Sequence, residues 1–222
     1  MTNLAATDLP SPNHGARRGG VRPTLVVLHY TGMPSYAEAR ARLCDPVAEV
    51  SAHWLISAGG LAEALVPEAR RAWHAGAGSW AGITDVNSAS IGIELANTGD
   101  QPFPEAQMAA LEALLAGVMR RWGIAPQGVI GHSDMAPSRK TDPGRRFDWR
   151  RLALQGLAVW PDHGQARVAE FAGALRRFGY ADWSADDVLR AFRLRFRPWG
   201  TGPVAAVDAG LAADLARRFG AG

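Results

Sequence analysis

The sequence is poor in cysteine, in lysine and in long hydrophobic runs. Cys44 is the only thiol in 222 residues, which excludes an internal disulfide and favours a reducing compartment. No apolar stretch approaches the roughly 18 residues that indicate a membrane-spanning helix. The opening segment MTNLAATDLPSPNHGARRGG contains no apolar core of the kind that secretory signals require. We therefore expect a cytoplasmic protein without a transmembrane segment.

A strong excess of charge is also missing. The net charge is +3, and the excess lies within residues 165–222, which hold nine arginines against six acidic residues. A nucleic-acid interface needs a denser basic patch, so no nucleic-acid partner is predicted. Lys140 is the only lysine among 24 basic residues, and it lies in the most charged loop, VIGHSDMAPSRKTDPG (129–144). Because an ammonium group is a compact point charge with three donors, this placement hints at a specific role.

Short apolar runs alternate with helical patterns over the first 160 residues. TLVVLHY (24–30), SIGIELA (90–96) and GVIGH (128–132) predict strands, and SAHWLIS (51–57) with LAEALVP (61–67) predicts a hairpin. Helices are predicted at 35–43 with Ser35 as N-cap, at 104–123 with Pro104 in the first helical position, and at 147–155. The pattern predicts an α/β fold with a central mixed β-sheet flanked by helices.

The C-terminal part has a different pattern. GLAVWPDHGQ (156–165) predicts a linker, and three short amphipathic helices follow it. Ser184 and Asp187 form a predicted capping box at the start of the second helix. We therefore predict two domains, an α/β domain at 1–160 and a small three-helix module at 161–222.

Two histidines end predicted strands, and a carboxylate follows one of them. His29 closes the first strand, His132 closes the last, and Asp142 lies ten residues further on in a proline-bracketed loop. Two imidazoles and a carboxylate, with a fourth position open, are a ligand set of catalytic zinc sites. These ligands suit Zn²⁺ better than Mg²⁺ or Ca²⁺. The spacing alone leaves open that both histidines are ordinary structural residues.

Glu94 lies among apolar residues in IGIELA. A carboxylate in such surroundings is costly to bury unless it is paired or functional. Burial would raise its pKa toward that of a working general base. Strand alternation also allows a simpler interpretation, in which Glu94 occupies a solvent-facing side with Gly92 and Ala96.

Five sequence blocks, in order, carry a resemblance to a known family. They are LHYT (28–31), SAHWLI (51–56), RAWHAG (71–76), NSASIGIEL (87–95) and GHSDMAPSRKTDPG (131–144). Together they resemble the zinc-dependent N-acetylmuramoyl-L-alanine amidases of the AmpD/AmiD branch, within the superfamily of phage lysozyme-type amidases and peptidoglycan recognition proteins. The resemblance covers roughly residues 20–160. The C-terminal helices resemble a peptidoglycan-binding module more loosely.

The resemblance implies a set of site residues. The zinc ligands would be His29, His132 and Asp142, with Glu94 as catalytic carboxylate and Lys140 near the reacting carbonyl. Trp73, His74, Asn87 and His53 would belong to the substrate cleft, with His53 favoured as a packing or supporting residue. The implied reaction is hydrolysis of the amide bond between N-acetylmuramic acid, or its 1,6-anhydro form, and L-alanine in peptidoglycan fragments.

Two departures from the family pattern bear on substrate preference and on rival functions. Ala52 stands where phage-type members carry tyrosine, and Tyr30 stands where some recycling enzymes carry asparagine. The main alternative is a module that recognises peptidoglycan without cleaving it. A zinc hydrolase acting on a different amide is a second alternative. The complete ligand set favours catalysis.

Overall fold

The computed structural model describes residues 10–162 and 164–220. The strands are β1 (His14–Gly15), β2 (Leu25–Tyr30), β3 (Trp54–Ile56), β4 (Ala62–Ala64), β5 (Arg71–Ala72), β6 (Ser90–Leu95) and β7 (Val129–Gly131). Five of them form one mixed sheet in the order β4-β3-β6-β2-β7. Strands β3, β6, β2 and β7 run parallel, and β4 pairs antiparallel with β3 as the predicted hairpin. Strands β1 and β5 form a separate two-stranded ribbon.

The α-helices of the described residues are α1 (Tyr36–Cys44), α2 (Val86–Ala89), α3 (Glu105–Trp122), α4 (His132–Met135), α5 (Trp149–Leu154), α6 (Phe171–Phe178), α7 (Ala185–Phe196) and α8 (Ala206–Phe219). The mixed sheet flanked by helices confirms the predicted fold class. Among these described helices, none is long and apolar enough to cross a bilayer.

Each face of the sheet is covered by its own helical layer. Alternate residues of β2 point to opposite faces, as the pleat requires. Val26 and Leu28 pack in one hydrophobic cluster with α3 and α5. Leu25 and Val27 pack in a second cluster with α6, α7 and α8. His29 follows Leu25 and Val27 in this alternation, so it lies on the sheet face that the C-terminal helices cover.

The segment between the α/β part and the C-terminal helices is packed rather than free. Leu157, Ala158 and Val159 are 7%, 4% and 3% exposed. Leu157 and Ala158 join the cluster with α3, and Val159 joins the cluster with α7. The described residues of the linker predicted at 156–165 form no helix or strand, but these three do not lie free, because their apolar side chains fill both cores. The domain boundary at 160/161 stays a prediction.

The hairpin strands β3 and β4 are shorter than predicted, and two further element ends differ from the sequence-based prediction. Pro104 is the N-cap of α3 rather than its first helical residue. Strand β7 ends at Gly131, and His132 is the first residue of α4. The reason is local, because the backbone N–H of Gly131 donates to Asp134 Oδ2 at 2.8 Å and closes the turn. Ser35 and Ser184 cap their helices as predicted, and Gly123 is the C-cap of α3.

Candidate metal centre and active site

Three potential metal ligands meet at the carboxyl ends of β2 and β7. His29 Nδ1 lies 2.9 Å from His132 Nδ1 and 2.9 Å from Asp142 Oδ2, and His132 Nδ1 lies 3.0 Å from Asp142 Oδ2. All three residues are buried. Tetrahedral zinc with bonds of about 2.0–2.1 Å needs donor atoms about 3.3 Å apart, close to this triangle. The three atoms therefore form a compact donor set for one ion.

The tautomer of His132 is set by a backbone carbonyl. Its Nε2 lies 2.8 Å from the carbonyl oxygen of Ala75. Because a carbonyl only accepts hydrogen bonds, Nε2 carries the proton, and in the neutral imidazole Nδ1 keeps its lone pair. That lone pair is on the atom that faces His29 and Asp142. Such an outer hydrogen bond is the usual way in which proteins orient a metal-binding histidine.

A longer hydrogen-bonded chain sets the tautomer of His29. Ser90 Oγ donates to the carbonyl of Val86 at 2.5 Å, so it accepts from His74 Nε2 at 3.2 Å. With its proton on Nε2, neutral His74 accepts through Nδ1 from His29 Nε2 at 3.1 Å. His29 then presents a bare Nδ1 to the centre. His74, predicted as a substrate contact, thus also supports a ligand.

The electrostatics of the triad favour a cation. Burial is the main reason that the pKa of His29 falls to about 4, and the nearby His132 lowers it further. Burial would raise the pKa of Asp142, but the adjacent imidazoles of His132 and His29 outweigh it and hold that pKa well below its ordinary value. A neutral imidazole and an ionised carboxylate are the forms that bind a metal ion.

Glu94 lies beside His29 on the neighbouring parallel strand, where the two residues are in register. It is half-buried, and its Oε2 has no hydrogen-bond partner among the described residues. Burial, and then the charge of Asp142, raises the pKa of Glu94 to about 8, against an opposing effect of Lys140. An unpaired carboxylate with a raised pKa beside a metal-binding triad has the properties of a general base.

A cavity of about 630 Å³ opens at the triad. Of the predicted site residues, it is lined by His29, Trp73, His74, Glu94, His132, Lys140 and Asp142. Arg42 and Arg139 also line it. The Arg139 guanidinium donates to the carbonyls of Ala75 and Ala77. The cavity therefore combines a metal-binding floor with three cationic side chains.

The other two predicted substrate contacts lie behind the cavity wall. The Asn87 side chain accepts from the backbone N–H groups of His74 and Ala75 at 3.0 and 2.8 Å. His53 Nδ1 accepts from the Gly92 N–H at 2.9 Å, and its Nε2 donates to the Arg70 carbonyl at 3.0 Å. Neither residue lines the cavity. Both hold the backbone that carries the site.

Gly92 is required by the close approach of an imidazole ring. A Cβ atom at this position would lie 2.4 Å from Cγ of His74 and 2.7 Å from its Nδ1. Any side chain would therefore displace the ring that supports His29. The motif SIGIEL thus places a glycine and the candidate base two residues apart on the same strand face.

Several residues that shape the site carry no distinguishing sequence signal. Ser90 is one of many serines, and its role depends on the position of His74. Arg42 and Arg139 belong to a set of 23 arginines that look alike in the sequence. Arg139 precedes the conspicuous Lys140, and that proximity is the one signal that points to it.

Comparison with known proteins agrees with this geometry. The sequence profile of the N-acetylmuramoyl-L-alanine amidase family (Amidase_2) matches residues 19–145. The chain is 37% identical to N-acetylmuramoyl-L-alanine amidase AmiD of Escherichia coli, over 80% of this chain and 76% of that protein. It is 37% identical to 1,6-anhydro-N-acetylmuramyl-L-alanine amidase AmpD of Enterobacter cloacae, over 66% of this chain and 88% of that protein.

Solved structures give the same result. AmiD of E. coli, in complex with anhydro-N-acetylmuramic acid-L-Ala-D-γ-Glu-L-Lys, superposes with a TM-score of 0.75 at 34% identity, covering 90% of this chain and 89% of that chain. AmpDH3 of Pseudomonas aeruginosa, in complex with anhydromuramic pentapeptide, gives a TM-score of 0.82 at 29% identity over the whole of both chains.

Fold and site together define a hydrolase with a donor set suited to a metal ion. The chain belongs to the N-acetylmuramoyl-L-alanine amidase family.

Proposed function

We propose that this protein hydrolyses the amide bond between N-acetylmuramic acid, or its 1,6-anhydro form, and the L-alanine of the stem peptide, using zinc held by His29, His132 and Asp142. The observation that carries the proposal is the triad itself, with donor atoms 2.9–3.0 Å apart and an unpaired Glu94 on the adjacent strand. Membership of the amidase family and the anhydromuramyl peptides bound in the AmiD and AmpDH3 structures support the choice of bond.

The donor set fits zinc. Both imidazoles present a bare Nδ1, because the Ala75 carbonyl and the Ser90–His74 chain take up their other nitrogens. Two nitrogen donors and one carboxylate leave a tetrahedral ion one open position, as in catalytic zinc sites. When bound, Zn²⁺ supplies Lewis-acid polarisation of the amide carbonyl and makes water more acidic.

The reaction needs one group that moves protons and one that stabilises negative charge. Glu94 accepts a proton from the attacking water and returns one to the leaving amine of L-alanine. The raised pKa of Glu94 suits a group that both takes and gives a proton near neutral pH. A cation held by Asp142 would offset the charge of that carboxylate and so lower the pKa of Glu94 from about 8. Lys140 donates a hydrogen bond to the developing oxyanion. One such donor can stabilise the transition state by roughly 3 kcal/mol. No covalent intermediate is required, and Cys44 has no part.

The cavity also suits an anionic peptide. Arg42, Arg139 and Lys140 line it, and guanidinium groups pair with carboxylates in a forked geometry. We propose that the guanidinium groups of Arg42 and Arg139 receive the carboxylates of the stem peptide, and that the C-terminal helices contribute a second peptidoglycan contact. The cytoplasmic location also remains a prediction, which cell fractionation with activity measurements on each fraction would test.

The test is digestion of a defined muropeptide by the zinc-loaded protein. Mass spectrometry should detect the released stem peptide and the muramyl sugar in equal amounts, and parallel reactions with anhydro and reduced sugar ends would establish which form is preferred. Glu94→Gln serves as the matched control, since it keeps the cavity shape. Cleavage at any other bond would refute the proposed substrate.

The alternative function is recognition of peptidoglycan without cleavage. It would appear in the same experiment as tight binding of the intact muropeptide by the zinc-loaded protein with no products. The presence of Glu94 and Lys140 in the cavity favours catalysis over that alternative.

A further inference from the structure

An arginine from the C-terminal helices lies buried beneath the metal-binding segment. Arg195 of α7 is 2% exposed, and its NH1 donates to Asp134 Oδ2 at 2.7 Å. Its NH2 donates to the carbonyl of Val129 in β7 at 3.0 Å. One guanidinium therefore fixes both the strand that leads to His132 and the short helix that begins with it.

Asp134 is the centre of this arrangement. It is completely buried and lies two residues after His132. Besides Arg195, it accepts from the hydroxyl of Tyr180 and from the backbone N–H of Gly131. The Gly131 contact forms the turn in which His132 stands, so Tyr180 and Arg195 hold that turn through a single carboxylate.

The same arginine also packs on a ring beside the metal-binding turn. Its guanidinium carbon lies 4.3 Å from the centre of the Trp149 ring. A Cβ at Gly131 would be 3.3 Å from Trp149 Cζ2 and 2.8 Å from Pro143 Cδ, so Gly131 lies against this ring and against the residue that follows Asp142. The N–H of Ser133 donates to the Asp142 carbonyl at 2.9 Å and joins the two ligand segments directly.

We propose that Arg195 and Tyr180 are positioning residues for the metal centre, which act through Asp134 to fix the direction of His132. The C-terminal helices are then part of the catalytic apparatus, whatever else they bind. The inference rests on the proposed zinc site. Partners that hydrogen-bond a metal ligand directly change metal affinity by about 10- to 100-fold when they are replaced. Arg195 and Tyr180 act one contact further out, so we expect an effect at the lower end of that range.

The chain offers matched controls for both residues. Arg193 lies one half-turn earlier on α7 and forms a comparable buried ion pair with Asp208. Among the described residues, its other hydrogen-bond partners are the carbonyls of Gly202 and Pro203, which also belong to the C-terminal part. Tyr36 donates its hydroxyl to Glu63, on the hairpin side of the sheet. Arg193→Lys and Tyr36→Phe therefore reproduce the chemical changes of Arg195→Lys and Tyr180→Phe away from the metal-binding turn.

The experiment measures zinc release from the full-length, zinc-loaded protein after addition of excess coloured chelator. Arg195→Lys and Tyr180→Phe should each speed release about tenfold, with a lower kcat and an unchanged KM, because the cavity wall is intact. Lysine cannot hold Asp134 and the Val129 carbonyl in the same fork. Both control variants should release zinc at the wild-type rate.

Each result decides the inference. Zinc release that is unchanged in both variants, or accelerated equally in the controls, would overturn it while leaving the proposed function intact. If Arg195→Lys does not fold, Tyr180→Phe alone decides, since it removes one hydroxyl. A wild-type protein that binds no stoichiometric zinc would instead refute the proposed zinc centre, and this inference with it.

Discussion

Replacing Glu94 by glutamine separates the proposed proton-transfer role of this residue from its place in the structure. In the metal-free protein, burial raises the pKa of Glu94 from 4.5 to about 8. The folded state therefore binds the proton more tightly than the unfolded state. As the pH rises from 4.5 to about 8, ionisation of Glu94 progressively lowers the free energy of unfolding. At higher pH the total loss is about 5 kcal/mol. Glutamine cannot ionise, so this loss should be absent in the variant.

The assay is denaturant unfolding of both proteins with a chelator present, at about pH 5 and about pH 9. Glu94→Gln should unfold at a higher denaturant concentration than wild type at the alkaline pH, with a much smaller difference at the acidic pH. With zinc restored, the variant should bind one ion per chain and lose most of its turnover. If the stabilities of wild type and Glu94→Gln change equally between the two pH values, the pKa of Glu94 is not raised by burial. Near-wild-type turnover of the variant would mean that another group is the base.

Three further substitutions test other parts of the site. His132→Ala should lose stoichiometric zinc in elemental analysis, and full zinc content would remove His132 from the ligand set. Gly92→Ala should push the His74 ring away and weaken zinc binding in a chelator titration; unchanged affinity would show that the ring is not needed there. Lys140→Met should keep zinc but lower kcat by roughly 100-fold, on the scale of losing one oxyanion donor. A change confined to KM would assign Lys140 to binding.

Part of the site follows from positions along the strands. Sequence analysis placed His29 and His132 at strand ends, and the parallel pairing of β2 with β7 brings the end of β2 and the residue after β7 to one edge of the sheet. Register then places Glu94 beside His29. The alternation that could have put Glu94 in solvent instead puts it on the cavity side, opposite the apolar face of Ile91, Ile93 and Leu95.

The prediction could not reach contacts that depend on tertiary packing. The Ser90–His74 chain is invisible in the sequence, because a serine acquires this role only when an imidazole lies next to it. Arg195 resembles the other arginines, yet it is buried between two parts of the chain. The burial of the segment after α5 was missed for a related reason, since composition does not reveal that a short connection is covered on both sides.

That connection has a consequence for how the protein melts. Consecutive residues at 157–159 contribute to opposite hydrophobic layers of the sheet. If either hydrophobic layer unfolded, it would pull on this segment and expose apolar side chains that belong to the other layer. Calorimetry should therefore record a single cooperative endotherm rather than two separate ones. Proteolytic nicking near this crossing should leave the two fragments associated until the whole molecule is denatured.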